Sequence, residues 1–331
     1  MTIPITRLGN SGLKVSRLAL GTMTFGTQAE EDVARRIMDK AADAGVNLFD
    51  TADVYPSGRA SPGHTEEIVG RWLKGRRQDV ILATKAFGKM GPNPWDQGNS
   101  RKHLLDAIDA SLKRLQTDYV DLYQLHHFDP ATPLDETLAA LDAIVKSGRA
   151  RYVGVSNFLA YRLAQALGRS DVKGLVRVVS VQPRYNLLFR EMERELFPLC
   201  AEEGIGVIPY NPLGGGMLTG KQTADRGPAP ESRFSLQTAA GEQYRERYWR
   251  ERELATVASF VRLAGDAGVV PTTLAIAWVL ANPVVTAPLL GASRPEQLDD
   301  CLAAVSYELD AALKQELDEL SAEYRRGDSA R

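Results

Sequence analysis

The chain has 331 residues, of which 44% are hydrophobic and 25% charged, a composition typical of a soluble globular protein with a sizeable core. Its 40 Lys and Arg residues against 42 Asp and Glu leave a net charge of −2, which gives no general attraction to nucleic acid or to a membrane. Two cysteines are too few for a disulfide framework or a thiolate metal site. Since no signal peptide and no apolar run of ~20 residues is present, we expect a cytoplasmic protein.

Short apolar runs alternate with amphipathic segments along almost the whole chain. Each run is apolar on successive residues, which is typical of strands buried on both faces. The runs predict eight strands, at residues 16–20, 47–51, 80–85, 119–126, 151–155, 177–182, 206–210 and 284–290. The segments between them predict helices, among them 29–44, 65–74, 101–115, 134–145 and 192–203.

This unbroken series predicts an α/β fold, a (β/α)8 TIM barrel that forms a single domain over 1–331. Residues 5–8 and 13–15 flank a Gly-Asn-Ser-Gly turn, which predicts a β-hairpin at the bottom of the barrel. Two irregular segments, 86–100 and 222–243, follow the third and seventh strands and predict long loops over the rim that carries the active sites of such barrels. Residues 322–331 predict a flexible tail.

Four polar side chains, Asp50, Tyr55, Lys85 and His126, stand at or just past the C-terminal ends of predicted strands. In a parallel barrel these ends meet at one rim, where the four groups could hand a proton to a carbonyl oxygen. Taken singly, each has an ordinary structural alternative, and His127 is as plausible a histidine as its neighbour. Because adjacent strand residues point to opposite faces, the two histidines should not share a metal, and we expect no metal site.

Longer motifs carry a resemblance to a known family. They are LGTMTFG at 20–26, NLFDTADVYPSG at 47–58, ILATK at 81–85, DYVDLYQLH at 118–126, GRARYVGVSNF at 148–158, VSVQPRYN at 179–186, IPYNPLGGGMLTGK at 208–221 and LLGASRPEQLDD at 289–300. In this order the chain resembles an aldo-keto reductase. The resemblance implies a TIM barrel, a nicotinamide cofactor bound without a Rossmann domain, and reduction of an aldehyde or ketone as the small-molecule substrate.

The four rim residues can be given roles in that reaction. Hydride that arrives at a carbonyl carbon leaves negative charge on the oxygen, so an acid must protonate it. We expect Tyr55 to be this acid and the Lys85 ammonium to lower the pKa of its phenol. Asp50 would pair with Lys85, and His126 would hydrogen-bond the substrate oxygen and orient it.

The resemblance also implies a set of cofactor contacts. Ser156, Asn157 and Gln182 correspond to residues that hold the nicotinamide carboxamide, and Tyr210 to the ring that stacks on the nicotinamide. The glycine-rich turn after the seventh strand would let backbone N–H groups approach the pyrophosphate. The other matched positions are Gly21, Thr22, Met23, Asn211, Leu213, Gly214, Gly216, Lys221, Gly291, Ser293, Arg294, Gln297 and Asp300.

Two further motifs decide which nucleotide is expected. Residues 215–221 read G-x-x-x-x-G-K, but Gln222 replaces the Ser or Thr that binds magnesium in a P-loop, so we reject nucleoside triphosphate binding. Residues 293–296 read as a capping box in which Ser293 and Glu296 cap a short helix. Arg294 is not needed for capping and suits the phosphate on the adenosine ribose, so NADP(H) is favoured over NAD(H).

The substrate and the broader role stay open at this stage. Aromatic residues and one loop arginine are candidate pocket walls: Phe25, Tyr55, Phe87, Trp95, Phe128, Phe158, Arg233, Phe234 and Trp249. One alternative is a cofactor-sensing auxiliary subunit of a membrane channel with little turnover, as in some relatives. Another is an aldolase or hydrolase that uses Lys85 as a Schiff base, which would leave the cofactor motifs unexplained. The oligomeric state is also open.

Overall fold

The computed structural model describes residues 3–56, 61–223, 225, 227–230 and 232–327. Within these residues the strands are β1 (Ile5–Arg7), β2 (Lys14–Ser16), β3 (Ala19–Gly21), β4 (Leu48–Asp50), β5 (Ile81–Ala86), β6 (Val120–Leu125), β7 (Ala150–Ser156), β8 (Ser180–Gln182), β9 (Gly206–Val207) and β10 (Leu289–Gly291). Strands β3 to β10 form one parallel sheet in the order β10-β3-β4-β5-β6-β7-β8-β9. The Thr286 N–H donates to the Val207 carbonyl oxygen at 2.7 Å, which brings the two edges together. The predicted (β/α)8 barrel is confirmed.

The first two strands pair antiparallel as the predicted hairpin. Its turn lies against the start of β9, where the Asn10 N–H donates to the Gly204 carbonyl oxygen at 2.7 Å. Leu8 and Val15 have no exposed surface and pack among residues of the barrel interior. The hairpin therefore closes the amino-terminal end of the barrel, as predicted.

Helices surround the sheet. They are α1 (Glu31–Asp43), α2 (His64–Leu73), α3 (Arg101–Leu115), α4 (Leu134–Lys146), α5 (Ala160–Lys173), α6 (Leu196–Glu203), α7 (Ala239–Tyr248), α8 (Glu251–Asp266), α9 (Pro271–Leu280), α10 (Gln297–Ala303) and α11 (Ala311–Leu320). Helix α1 is typical of the layer: Ala34, Ile37, Met38 and Ala41, at intervals of three and four residues, are its buried face.

The core has two layers. The barrel interior is filled by small and branched side chains, namely Leu8, Val15, Ala19, Leu48, Ala83, Leu122, Ile208, Ala287 and Leu289. The larger layer lies between the sheet and the helices and holds aromatic side chains such as Phe49 and Trp72, whose ring centroids are 4.9 Å apart. These side chains and the hairpin fill the interior from its amino-terminal end, so we look for a site at the carboxyl end of the barrel.

Several predicted strands are longer than the observed ones. Predicted strand 206–210 ends at Val207, and predicted strand 284–290 begins only at Leu289. Pro209 and Pro288 explain both differences, because proline has no N–H to donate to the ladder. Predicted strand 16–20 also starts too early, since Ser16 belongs to the hairpin.

The long loop predicted after the third barrel strand is present, since no helix or strand lies between β5 and α3 within the described residues. The loop predicted over 222–243 contains the start of α7, so this part of the prediction is wrong. The Thr238 hydroxyl accepts a hydrogen bond from the Gly241 N–H and so caps the helix.

The first part of the predicted flexible tail packs against the barrel. Residues Ala322–Arg326 form a 3-10 helix in which Tyr324 is 1% exposed. The Tyr324 hydroxyl lies 2.8 Å from the Thr256 hydroxyl of α8, and the Arg190 N–H donates to the Tyr324 carbonyl oxygen at 2.9 Å. Burial of the ring packs these residues against the barrel, and the flexibility of the tail stays a prediction. Residues 328–331 lie outside the described part.

Within the described ranges, no single helix has both the length and the apolar character to cross a bilayer. Among the helices that the structure describes, α8 and α9 meet those criteria only when taken together, and the two are bent by 96° at the break between them.

Candidate active site

A cavity of about 1260 Å³ opens at the carboxyl end of the barrel strands. Each strand contributes at or just after its end, through Gly21, Asp50, Phe87, His126, Ser156, Gln182, Tyr210 and Gly291. Predicted site residues from all eight strand–helix units therefore meet at one rim, as the barrel topology requires.

Asp50 is the centre of a buried polar network inside this rim. Its Oδ1 accepts a hydrogen bond from Lys85 Nζ, which also donates to the Thr51 carbonyl oxygen at 2.7 Å. Its Oδ2 accepts from Gln124 Nε2 and from Gln182 Nε2, each at 2.9 Å. Lys85 has no exposed surface and Asp50 is 2% exposed, so each charge is compensated where water cannot reach it.

Tyr55 and His126 lie above this network. The Lys85 Nζ is 5.1 Å from the centroid of the Tyr55 ring. The rings of Tyr55 and His126 meet edge to face, with centroids 5.7 Å apart. Both side chains line the cavity, whereas Lys85 lies beneath it. The structure thus brings together the four residues that the sequence singled out.

The environment sets the protonation states of these groups. Burial raises the pKa of the Tyr55 phenol, and the opposing effect of the Lys85 ammonium does not reverse this direction. The predicted lowering of the Tyr55 pKa is therefore wrong. Burial alone would lower the pKa of Lys85. Asp50 and Tyr55 outweigh this effect and raise the pKa above its ordinary value, so the amine stays charged. Burial, aided by Lys85 and His127, holds the pKa of His126 well below its usual 6.5, so its imidazole is neutral at pH 7.

The three predicted carboxamide ligands are joined by hydrogen bonds. The Ser156 hydroxyl donates to the Gln182 carbonyl oxygen at 2.8 Å, and Asn157 Nδ2 donates to the His126 carbonyl oxygen and to Ser156 Oγ, each at 3.0 Å. The Tyr210 hydroxyl donates to Asn157 Oδ1 at 2.9 Å. Because these donors are engaged, the groups left for a carboxamide are mainly oxygen acceptors, which fit its NH₂ group.

The glycine-rich turn follows β9 as a 3-10 helix, Gly214–Thr219. Asn211 holds its start: Oδ1 accepts from the Gly215 N–H at 2.5 Å, and Nδ2 donates to the Tyr248 hydroxyl at 2.9 Å. Gly216 has φ +100°, and a Cβ there would meet nothing within 4 Å, so its backbone faces open space. Asn211, Leu213 and Gly216 line the cavity, but Gly214 does not.

The remaining predicted cofactor positions line the cavity as well. They are Gly21, Thr22, Met23, Lys221, Ser293, Arg294, Gln297 and Asp300. The Thr22 hydroxyl donates its proton to the Asp50 carbonyl oxygen at 3.0 Å, so toward a ligand it could serve only as an acceptor. The capping box is not formed as predicted, since Gln297 Oε1, rather than Glu296, accepts from the Ser293 N–H at 2.8 Å.

Most of the predicted pocket walls lie elsewhere. Tyr55, Phe87 and Arg233 line the cavity. Phe25, Phe158 and Phe234 are core residues, and Trp95 is 51% exposed on its loop. Phe128 packs edge to face on Phe158, and Trp249 packs on Phe234. The prediction failed because an aromatic residue near a rim serves packing as readily as recognition.

Sequence reasoning missed several residues of the site. Gln124 is a polar residue inside the buried strand β6, opposite Lys85 in register, and that position was a signal of a polar network. His127, which the sequence offered only as an alternative to His126, stacks on it with ring centroids 5.2 Å apart and also lines the cavity. Tyr244 and Arg247 reach the cavity from α7, a helix that no pattern in the predicted loop had indicated.

Comparison with known proteins shows the family to which this barrel belongs. The model described as "Aldo/keto reductase family" matches residues 17–322. The chain belongs to the aldo/keto reductase family. A similar protein is "Uncharacterized oxidoreductase YrpG" of Bacillus subtilis, which is 39% identical over 95% of both chains. The predicted family and the oxidoreductase class are thereby confirmed.

Other aldo/keto reductase relatives carry different names. "Probable voltage-gated potassium channel subunit beta" of Arabidopsis thaliana is 40% identical over 90% of both chains. "Putative aryl-alcohol dehydrogenase C977.14c" of Schizosaccharomyces pombe is 36% identical over 91% of both chains. Family membership alone therefore does not settle the reaction or the substrate.

Proposed function

We propose that this aldo/keto reductase reduces aldehydes or ketones with NADPH and that Tyr55 protonates the carbonyl oxygen. The observation that carries the proposal is the position of the Tyr55 phenol, on the cavity wall directly above the buried Lys85–Asp50 pair and beside His126. These are the groups that carbonyl reduction needs around the oxygen on which charge develops.

With its pKa raised, the Tyr55 phenol keeps its proton at neutral pH, as an acid must, but it is a weaker donor than one whose pKa lies near the operating pH. The Lys85 ammonium, held by Asp50, stabilises the phenolate that remains after the proton leaves. Neutral His126 can donate one N–H to the same oxygen and orient it.

The cavity also fits a dinucleotide. NADPH supplies the hydride when it is bound. The acceptors of the Ser156, Asn157 and Gln182 group suit a carboxamide, and the Tyr210 ring lies on the cavity wall beside them. At the other end, Lys221 and Arg294 line the cavity as cations suited to phosphate groups.

The role of Tyr55 is tested by Tyr55→Phe. We expect carbonyl reduction, measured as loss of NADPH absorbance with a panel of aldehydes, to fall by about 10²–10⁴-fold because the proton donor is lost. Binding of NADPH, followed by its fluorescence, should persist. Tyr161→Phe is the matched control, since Tyr161 is 55% exposed and does not line the cavity, and it should behave as wild type. Normal turnover in Tyr55→Phe would refute the proposed acid.

The preference for NADPH is tested by Arg294→Ala. Removal of a guanidinium that pairs with a phosphate costs a charge-assisted hydrogen bond, so the KM for NADPH should rise about tenfold or more while that for NADH stays within about twofold. Arg262→Ala, an exposed arginine on α8, is the control and should change neither value. Equal effects of Arg294→Ala on the two nucleotides would contradict the assignment.

A second candidate is a cofactor-binding auxiliary subunit with little turnover. The similarity to the Arabidopsis thaliana protein named as a potassium channel beta subunit favours it. The same assay separates the two functions, because bound NADPH that no aldehyde or ketone in the panel consumes would support the second and oppose the first.

A further inference from the structure

Helix α7 covers part of the cavity with one of its faces. Ala240, Gln243, Tyr244 and Arg247 all line the cavity, and their spacing of three, one and three residues places them on one side of an α-helix. Its last residue anchors the helix to the turn after β9, because the Tyr248 hydroxyl accepts a hydrogen bond from Asn211 Nδ2 at 2.9 Å. The face is therefore held in place over the site.

The charge of Arg247 acts on two residues of the cavity wall, His127 and Tyr210. Burial lowers the pKa of His127, and the charge of Arg247 lowers it further. The same charge acts on Tyr210, whose pKa burial raises and Arg247 opposes. Both residues line the cavity next to the Tyr55–His126 pair: His127 stacks on His126, and the Tyr210 hydroxyl bonds Asn157. Arg247 thus lines the same cavity as the Tyr55–His126 pair, and its charge reaches the residues next to that pair.

Nothing within the described residues compensates this charge. Arg247 is half-buried, and it makes no side-chain hydrogen bond or ion pair in the part of the chain that the structure describes. Of the described carboxylates on the cavity wall, Asp50 is paired with Lys85, while Glu296 and Asp300 follow β10. A partly desolvated guanidinium without a partner is costly, and it binds an incoming anion in bidentate geometry.

We propose that Arg247 selects substrates that carry an anionic group, a carboxylate or a phosphate ester, close to the carbonyl that is reduced. The inference rests on the proposed function, since it assumes that the carbonyl lies at Tyr55 and His126. Gln243, one turn earlier on the same face, offers a neutral donor to the same group. The cavity would then hold the substrate at two points, with the carbonyl below and the anion at α7.

The test compares matched charged and neutral substrates. Values of kcat/KM are measured for 4-carboxybenzaldehyde against 4-nitrobenzaldehyde, and for glyceraldehyde 3-phosphate against glyceraldehyde, in wild type, Arg247→Gln, Arg247→Lys and Arg250→Gln. Arg250 is an exposed arginine three residues on that does not line the cavity, so it controls for net charge. We expect Arg247→Gln to reduce kcat/KM for a charged substrate about ten- to a hundredfold and to leave the neutral ones within about twofold.

Each outcome decides the inference. The pair in which Arg247→Gln lowers kcat/KM for the charged substrate alone identifies the anion as a carboxylate or a phosphate. Partial rescue of that loss by Arg247→Lys supports a charge interaction. Equal losses on charged and neutral substrates, or equal losses in Arg250→Gln, would overturn it. If no aldehyde is reduced at all, the proposed function fails separately. Titration of the NADPH-bound protein with benzoate, an unreactive carboxylate, then decides the inference alone, since binding that is absent in wild type or unchanged in Arg247→Gln refutes it.

Discussion

Two fully buried carboxyl groups, Asp53 and Glu66, are close enough to interact electrostatically but have very different partners. Glu66 accepts hydrogen bonds from the Thr84 hydroxyl at 2.5 Å and from Arg114 Nε at 2.7 Å. For Asp53, burial raises the pKa well above its usual 3.8, and the charge of Glu66 raises it further, against weaker effects of Arg114 and Lys85. The two residues should therefore contribute to stability with opposite sign.

Asp53→Asn should stabilise the protein at neutral pH. An acid whose pKa is raised on folding binds its proton more tightly in the native state, so wild-type stability falls as the pH rises from about 4 toward the raised value. Asparagine does not ionise and avoids this loss. The difference in unfolding free energy, measured by urea denaturation between pH 4 and pH 8, should grow with pH in favour of Asp53→Asn by about 1 kcal/mol or more.

Glu66→Gln is the contrasting variant. It leaves Arg114 without its carboxylate at a site where the arginine side chain is only 18% exposed, so it should destabilise by about 3–5 kcal/mol. A pH-independent difference for Asp53→Asn, or a loss as large as that of Glu66→Gln, would show that Asp53 is ionised and usefully paired.

At the same scale, motifs predicted which residues lie together at the site but not the direction of their pKa shifts. Tyr55 and Lys85 could be identified from their positions after strands, and they do lie together. The direction of the Tyr55 pKa could not be read from the sequence, because it depends on how far burial outweighs one neighbouring charge.

Among the elements, the amino-terminal hairpin has a strict steric requirement at its turn. Gly9 has φ +57°, and a Cβ there would lie 2.4 Å from the Gly204 carbonyl oxygen and 2.5 Å from the Gly206 nitrogen. Both are backbone atoms at the start of β9, so they cannot move aside as a flexible side chain would. The turn residue therefore decides how closely the hairpin docks.

Gly9→Ala should destabilise the barrel by about 2–5 kcal/mol, the sum of a left-handed backbone cost and a clash in a packed region. Gly174→Ala is the matched control, since its φ of +62° is similar but a Cβ there would meet nothing within 4 Å. Gly174→Ala should lose only about 1 kcal/mol. Urea midpoints measure both, and equal losses would mean that docking of the hairpin does not depend on this contact.

Helix α7 illustrates what element prediction from sequence could not supply. Its segment, AAGEQYRERY, stands in a region of Gly, Pro and Ser and has few apolar residues, so periodicity gave no helix. Its buried residues are Gly241, Tyr244 and Tyr248, and the two tyrosines pack on the glycine-rich turn. A Cβ on Gly215 would lie 2.5 Å from the Tyr244 ring. The helix is defined by that tertiary contact.

At the scale of the whole molecule, the barrel could be predicted because its strand–helix unit is repeated eight times along the chain. Eight apolar runs with helices between them leave few topologies, and the hairpin turn was explicit in the sequence. The end of β9 and the start of β10 were less predictable, since Pro209 and Pro288 interrupt the hydrogen-bond ladder within apolar runs that extend beyond the strands. The 3-10 helix around Tyr324 was missed because its hydrophobic partners lie far away in sequence.

The Asp50 network has a consequence for how correct assembly can be recognised. Its four side chains come from β4, β5, β6 and β8, on nearly opposite sides of the cylinder. A slip of one residue in any of these strands would turn its member of the network outward and leave the carboxylate short of a donor. Catalytic turnover would therefore also report whether the strands are in register, because a barrel with one strand out of register would be inactive even if it were compact and helical.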